Sequence, residues 1–389
     1  MQSLSQDPTD PAFVADPYPF YDRLRAAGPL VRWAEYGLPV AAARATVDAL
    51  LRDRRFGRQD PAPPPRPVHQ AGFWAVEDHS MLELDGARHA RLRASVLRAF
   101  TTQAIAALEP GIEALTHELI DAFPEGPFDL LEAFARPLPV RVIARLLGVP
   151  EADAPRLLAW SNAMVGMYQA GRSHGMEAAA ARAAADFSDY LQRHLTGART
   201  GLAARLLEVE ADGGLDRAEL ISTCILLLNA GHEATVHTIG NGVAAILGAG
   251  LWGRTAPGPL VEEVLRFDPP LHLFVRYAQG PAEVAGHRFD RGDRVGLLLA
   301  AANRDPAAHA EPTRFDPGRY APGRHPPEPP PLSFGAGPHF CIGAALARME
   351  LRVAFAVLAE RCPDLTLAGP AQYAPIYHFH GLEALKVRT

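Results

Sequence analysis

Phe334-Gly335-Ala336-Gly337-Pro338-His339-Phe340-Cys341-Ile342-Gly343 sets one cysteine in a glycine-punctuated loop, directly before a long apolar helical run from Ala344 to about Glu360. A thiolate is a soft, electron-rich metal ligand, and a cysteine ionises readily beside a metal or a helix N-terminus. Gly335, Gly337 and Gly343 allow sharp turns and a close approach of backbone to a flat cofactor. Backbone N–H groups at the head of the following helix are placed to point at the sulfur. A lone free cysteine is most often a small buried hydrophobe. It is the loop around Cys341 that argues otherwise.

The run F-x-x-G-x-x-x-C-x-G from Phe334 to Gly343 resembles the haem-binding loop of the cytochrome P-450 family. The resemblance implies that Cys341 is the proximal iron ligand, with Phe334, Gly335 and Gly343 shaping the cofactor bed. It also implies haem b as the cofactor.

The helical stretch Leu215–Leu247 contains Leu226-Leu227-Leu228-Asn229-Ala230-Gly231-His232-Glu233-Ala234-Thr235. An acid amid an apolar helix is costly unless paired or wetted. The Ala230-Gly231 pair is a weak point where the helix is expected to bulge. The segment resembles the family's oxygen-activating A-G-x-[DE]-T, which implies catalytic roles for Ala230, Gly231 and Glu233. The acid matches, but Ala234 stands where the threonine belongs and Thr235 comes one residue late. One residue turns a side chain by about 100° on a helix, so Thr235 does not simply take over. Either a distorted helix lets the Thr235 hydroxyl reach differently, or water or a substrate hydroxyl substitutes, so Ala234 and Thr235 stay among the candidate catalytic positions.

Glu263-Val264-Leu265-Arg266 places opposite charges three apart on one helix face. Alone it reads as a surface pair. Upstream of the cysteine loop it resembles the family's E-x-x-R, which implies a lock with Arg319 of Phe315-Asp316-Pro317-Gly318-Arg319. His89 and Arg93 sit four apart and match an H-x-x-x-R helix segment. With Arg276 and His339 they are implied partners of the haem propionates, whereas Arg88 and Arg91 read as solvated surface residues. Substrate-facing residues are expected within 70–76, 162–168, 226–230, 271–275 and 376–377. His272, His378 and His380 are either polar handles there or solvated loop residues.

Helical spacing recurs over 18–27, 87–100, 103–122, 131–147, 152–165, 178–194 and 215–247. Strand-like runs cluster in two hairpins, 30–33 with 38–41 and 283–288 with 294–299, and the tail 374–387 reads as edge strands. The expected fold class is mainly α (α+β): a large helical domain with a small sheet, one domain over 1–389, with about 1–15 a flexible N-terminal segment. The proline-rich runs 61–67 and 326–331 read as surface loops, not linkers.

The 389 residues carry a formal net charge of −6 and no dense basic run, which gives nucleic acid no footprint. Cys224, Cys341 and Cys362 form no disulfide framework, consistent with a reducing compartment. The polar N-terminus lacks the pattern of a signal peptide, and Ile221–Leu228 is too short to span a bilayer. A cytoplasmic protein without a membrane partner is expected. The resemblance implies a monooxygenase that inserts one atom of O2 into a hydrophobic small-molecule substrate, with electrons from a separate ferredoxin and ferredoxin reductase. The alternatives are a haem-thiolate enzyme using peroxide, or one coupling, dehydrating or rearranging its substrate. A haem sensor without turnover is a third reading.

Overall fold

The computed structural model describes residues 1–168, 171–195, 201–375 and 379–389. Helices dominate, around one long helix, Arg217–Gly248. Its start is fixed by a reciprocal cap: the Asp216 side chain accepts from Glu219 N–H, while Glu219 accepts from Asp216 N–H. Leu228, Val236, Ile239 and Val243 bury this helix in the main apolar core. No helix among the described residues is long and apolar enough to cross a membrane.

Two expected helices are divided, and proline is the reason. The stretch 103–122 forms Thr102–Ala106 and Glu109–Asp121, with Pro110 in the first turn of the second helix. The stretch 131–147 forms a wide turn, Leu131–Ala135, and then Pro137–Leu147. Proline lacks the N–H that would continue a preceding turn but fits the start of a new one.

The larger sheet has six strands in the order Ser3–Leu4, Val31–Trp33, Leu38–Ala41, Arg294–Leu298, Leu273–Ala278, Phe56–Gly57. The first hairpin forms as its sequence suggests, with Val31 opposite Val40. The second does not. Ala285 and Gly286, both at positive φ, turn Ala282–Val284 directly onto His287–Phe289, the conformation that two-residue hairpin loops favour. Arg294–Leu298 instead pairs antiparallel with Leu273–Ala278, placing Arg276 opposite Val295. The tail supplies short strands: Leu382–Ala384 pairs with Gln372–Tyr373, and Lys386–Arg388 with Thr366–Leu367 and Phe128–Asp129.

Within residues 1–15, defined elements pack against the rest of the protein. Ser3–Leu4 extends the sheet in parallel with Val31–Trp33, and Pro11–Ala15 is a helix capped by Asp10. Phe13 is buried edge-on against Phe20 and Trp33. Burying these rings favours the docked arrangement of the segment.

Candidate functional site

The cysteine loop is held by its own backbone. Cys341 N–H donates to Phe334 C=O at 2.9 Å, and Gly335 N–H to Leu332 C=O at 2.7 Å. Gly335 and Gly337 adopt φ of 67° and 71°. At Gly337 a Cβ would also sit 2.5 Å from the Leu51 carbonyl oxygen, so only glycine fits. Cys341 stands at the head of the helix Ala344–Arg361, where the Ala344 N–H donates to its carbonyl oxygen at 3.4 Å and the N–H groups of Gly343 and Ala344 favour the ionised sulfur. Burial pushes its thiol pKa up, while those donors, Arg93 and Arg348 pull it back. Yet the residue is exposed by surface area. Cys224 and Cys362 are buried; burial raises both thiols, Cys224 to about 12.

Four cationic or imidazole side chains converge beside this loop. His89 and His339 stack with ring centroids 4.2 Å apart, and His339 Nε2 lies 2.8 Å from Asp85 Oδ1. Arg93 donates to Phe340 C=O at 2.6 Å. Arg276 is only 2 % exposed, and its side chain donates to one carbonyl, that of Val275, at 3.2 Å. Burial, and then Arg58 nearby, lower its pKa to about 9. Burial likewise lowers His89 to about 4, helped by His339 and Arg93. No carboxylate among the described residues comes within ion-pair distance of Arg276. A buried guanidinium so placed calls for an anionic ligand. A soft sulfur, close-approach glycines and a buried Arg276 with no carboxylate partner among the described residues together fit a flat, dianionic, iron-bearing cofactor.

The helix Arg217–Gly248 is buried along most of its length, but Leu226, Ala230, Glu233, Ala234 and His237 form a partly accessible stripe at helical spacing. The expected bulge at Ala230-Gly231 is absent: the helix is continuous α through both residues. Gly231 answers to packing, since a Cβ there would meet Ile143 at 2.8 Å. Thr235 is buried, and its hydroxyl donates to Gly231 C=O at 3.2 Å. Glu233 lies between two imidazoles, with Oε2 3.6 Å from His232 Nε2 and Oε1 3.7 Å from His237 Nε2. The sequence reading passed over His237, although its i, i+4 spacing from Glu233 was the available signal.

Glu263, Arg266 and Arg319 meet in the interior, at most 2 % exposed. Glu263 takes a bidentate pair from Arg266 at 2.7 and 2.7 Å and the Asp316 N–H at 2.6 Å. Arg319 Nε lies 3.6 Å from Glu263 Oε1. The remaining guanidinium N–H groups donate to carbonyls of Asn303, Pro312 and Arg314 from Arg266, and of Ala310 and Glu311 from Arg319. The cluster thus ties the helix Pro257–Phe267 to the 310–319 segment.

Arg88 and Arg91 are partly exposed and pair with Glu219 of the helix cap. His272 and His380 are neither solvated nor pocket handles: both are buried beside Asp268. The two Asp268 oxygens accept from Tyr18 at 2.6 Å and Tyr373 at 3.0 Å, and Arg304 supplies countercharge. That cluster joins the helix Tyr18–Ala27 to the strand Gln372–Tyr373. Of the expected substrate-facing residues, Phe73 and Val76 are buried, and Tyr168 donates to the buried Glu77 at 3.1 Å. Ile376, Tyr377 and His378 lie outside the described residues.

A family model described as cytochrome P450 matches residues 259–363, which include the Glu263 triad and Cys341. The cytochrome P450 monooxygenase PikC of Streptomyces venezuelae is 38% identical over 99% of this chain and 93% of its own length. The biotin biosynthesis cytochrome P450 of Bacillus subtilis (strain 168) is 34% identical over 96% of each. The crystal structure of P450BioI, in complex with an acyl carrier protein ligated with hexadec-9Z-enoic acid, superimposes with a TM-score of 0.89 at 32% identity. It covers 98% of this chain and 100% of that one.

Proposed function

The chain belongs to the cytochrome P450 family, a haem b-dependent monooxygenase, and from that premise we propose which of its residues do the work. Cys341 would hold the haem iron through its sulfur. The observation that carries this is its place: an exposed cysteine in a glycine-turned loop at a helix head, with Arg93 and Arg348 favouring the ionised sulfur. The helix head and the two arginines stabilise the thiolate form. Bound haem supplies the oxygen chemistry, and a thiolate ligand favours O–O cleavage.

Arg276, Arg93, His89 and His339 hold the propionates. Two carboxylates entering this cluster neutralise Arg276, which burial otherwise makes costly to keep charged. Phe334, Gly335 and Gly343 shape the bed beside the ligand. Glu263, Arg266 and Arg319 fix the backbone leading into the cysteine loop. Glu233 holds and releases protons on the accessible stripe, with Ala230 and Ala234 leaving room beside it. The buried, self-bonded Thr235 hydroxyl supports a relay that does not use it.

The enzyme works on small molecules with separate redox partners. A ferredoxin and its reductase are the proposed donors, on the resemblance to the family. A hydrophobic substrate is supported by the apolar Leu226–Ala230 face, and a cytoplasmic location by three unpaired cysteines. We read residues 1–389 as one domain, since N- and C-terminal segments meet at Asp268.

The test is Cys341→His. The reduced, carbon monoxide-bound wild type shows the red-shifted absorption band that thiolate ligation gives, and the variant loses it. Retention of the band in Cys341→His, with loss on replacing Cys224 or Cys362, refutes the assignment.

A further inference from the structure

Asn229 interrupts an otherwise apolar face, and only half of its amide is used. It lies at i, i+3 from Leu226 and i, i+4 from Glu233, on the partly accessible stripe of the helix Arg217–Gly248. Its Nδ2 donates to the Met164 sulfur at 3.7 Å. Its Oδ1 is buried and has no hydrogen-bond partner among the described residues.

The sulfur decides which end of the amide is which. A thioether only accepts, so the NH2 end turns to Met164 and the carbonyl end is left over. Reversing the amide would set two acceptors face to face and strand the N–H groups instead. Either way one polar end stays unpaired, and an unmade hydrogen bond at a buried amide is costly. Leucine has nearly the same shape, forms helix better, and would fill the place without that cost. Folding of the helix therefore does not call for this side chain, and a ligand does.

The acceptor is covered but not locked. Met164, fully buried on the helix Ala154–Val165, lies against the amide. A methionine side chain is flexible and repacks readily, so its shift, with a turn of the amide, opens the oxygen toward the stripe. A carbonyl oxygen takes a donor, which selects hydroxyl and N–H groups and gives ethers and hydrocarbons nothing.

We propose that Asn229 is a specificity residue: its Oδ1 accepts a hydrogen bond from a hydroxyl or N–H group on an otherwise apolar substrate, with Met164 yielding to admit it. The donor is a binding handle, about 6 Å along the helix axis from Glu233, and takes no part in the oxygen chemistry. This rests on the reading of the Leu226–Ala230 face as substrate-facing.

N-alkylimidazoles test it in the holoenzyme. The imidazole nitrogen binds the iron, and a tail of graded length ends in methyl, hydroxyl or methoxy. Absorbance titrations give the affinities. Over one range of tail lengths, the ratio of hydroxyl to methoxy affinity should fall by about 2- to 10-fold in Asn229→Leu, the value of one neutral hydrogen bond. At other lengths the ratio should not change, and Asn229→Asp, which keeps an acceptor, should keep the preference. A ratio equal in wild type and Asn229→Leu at every length overturns the proposal. A second reading needs no ligand: Asn229→Leu should melt at or above the wild-type temperature. A lower melting temperature means that the amide is already satisfied as a structural group, and also overturns it. Ala230→Leu separates the two claims. If it weakens binding of the tails while the hydroxyl ratio is flat, only the role of Asn229 fails. If it leaves every tail unaffected, the reading of the face falls and takes the proposal with it.

Discussion

Glu263→Ala removes the one anion that two buried guanidiniums share through direct contact. Arg266 loses both 2.7 Å contacts and Arg319 its 3.6 Å neighbour, while Asp316 N–H loses its acceptor. Breaking a buried ion pair from one side costs about 3–5 kcal/mol, and stranding a buried N–H adds about 1–3 kcal/mol. The sum, about 4–8 kcal/mol, is a large share of a typical stability of about 5–15 kcal/mol. At about 2 °C per kcal/mol, toward the low end for larger domains, the melting temperature should fall by about 10 °C, with little haem-loaded protein recovered. Thermal melts followed by far-UV circular dichroism, alongside haem absorbance per chain, provide the assay. Glu263→Gln keeps an acceptor oxygen without the charge and should fall between wild type and alanine. The double variant with Arg266→Ala should lose much less than the sum of the two singles, since the stranded cation leaves with its partner. A Glu263→Ala protein that melts within 2 °C of wild type, about 1 kcal/mol by the same conversion, refutes the reasoning.

Three further outcomes follow from other parts of the molecule. Thr235→Ala should leave product per reducing equivalent nearly unchanged, because the hydroxyl is tied to Gly231 C=O; Glu233→Gln should lower it steeply, general acid–base groups contributing about 10²–10⁴-fold. Arg276→Met should retain the fold but release haem faster, measured by transfer to a scavenging apoprotein; an unchanged release rate removes Arg276 from the propionate site. Burial, with Glu83 next, raises the Glu77 carboxyl to about 8, so the folded state holds a proton that the unfolded state has lost above its ordinary value. Stability from this group is therefore full below that value and is lost as pH rises toward 8, about 3 kcal/mol between pH 5 and 7. Denaturant melts across that range should show Glu77→Gln gaining on wild type as pH rises, and parallel pH profiles would contradict this.

The sequence alone determined the parts that depend on local chemistry. A glycine-rich loop around one cysteine before a helix can be read in one dimension, because turn, ligand and helix start are contiguous. The i, i+3 pair of Glu263 and Arg266 and the register step from Ala234 to Thr235 are equally local, since helix geometry fixes side-chain direction. Tertiary structure decided what contiguity cannot supply. That Arg276 lacks a carboxylate partner among the described residues follows from its strand pairing with Arg294–Leu298, a register invisible in either segment. That Phe13 is buried depends on Phe20 and Trp33 arriving from elsewhere. His272 and His380 lie over a hundred residues apart, and only their convergence on Asp268 makes them interior. Glu233 shows both sides at once. Its place beside Ala234 is written in the chain, but its setting between the imidazoles of His232 and His237 depends on the side-chain directions that packing leaves them.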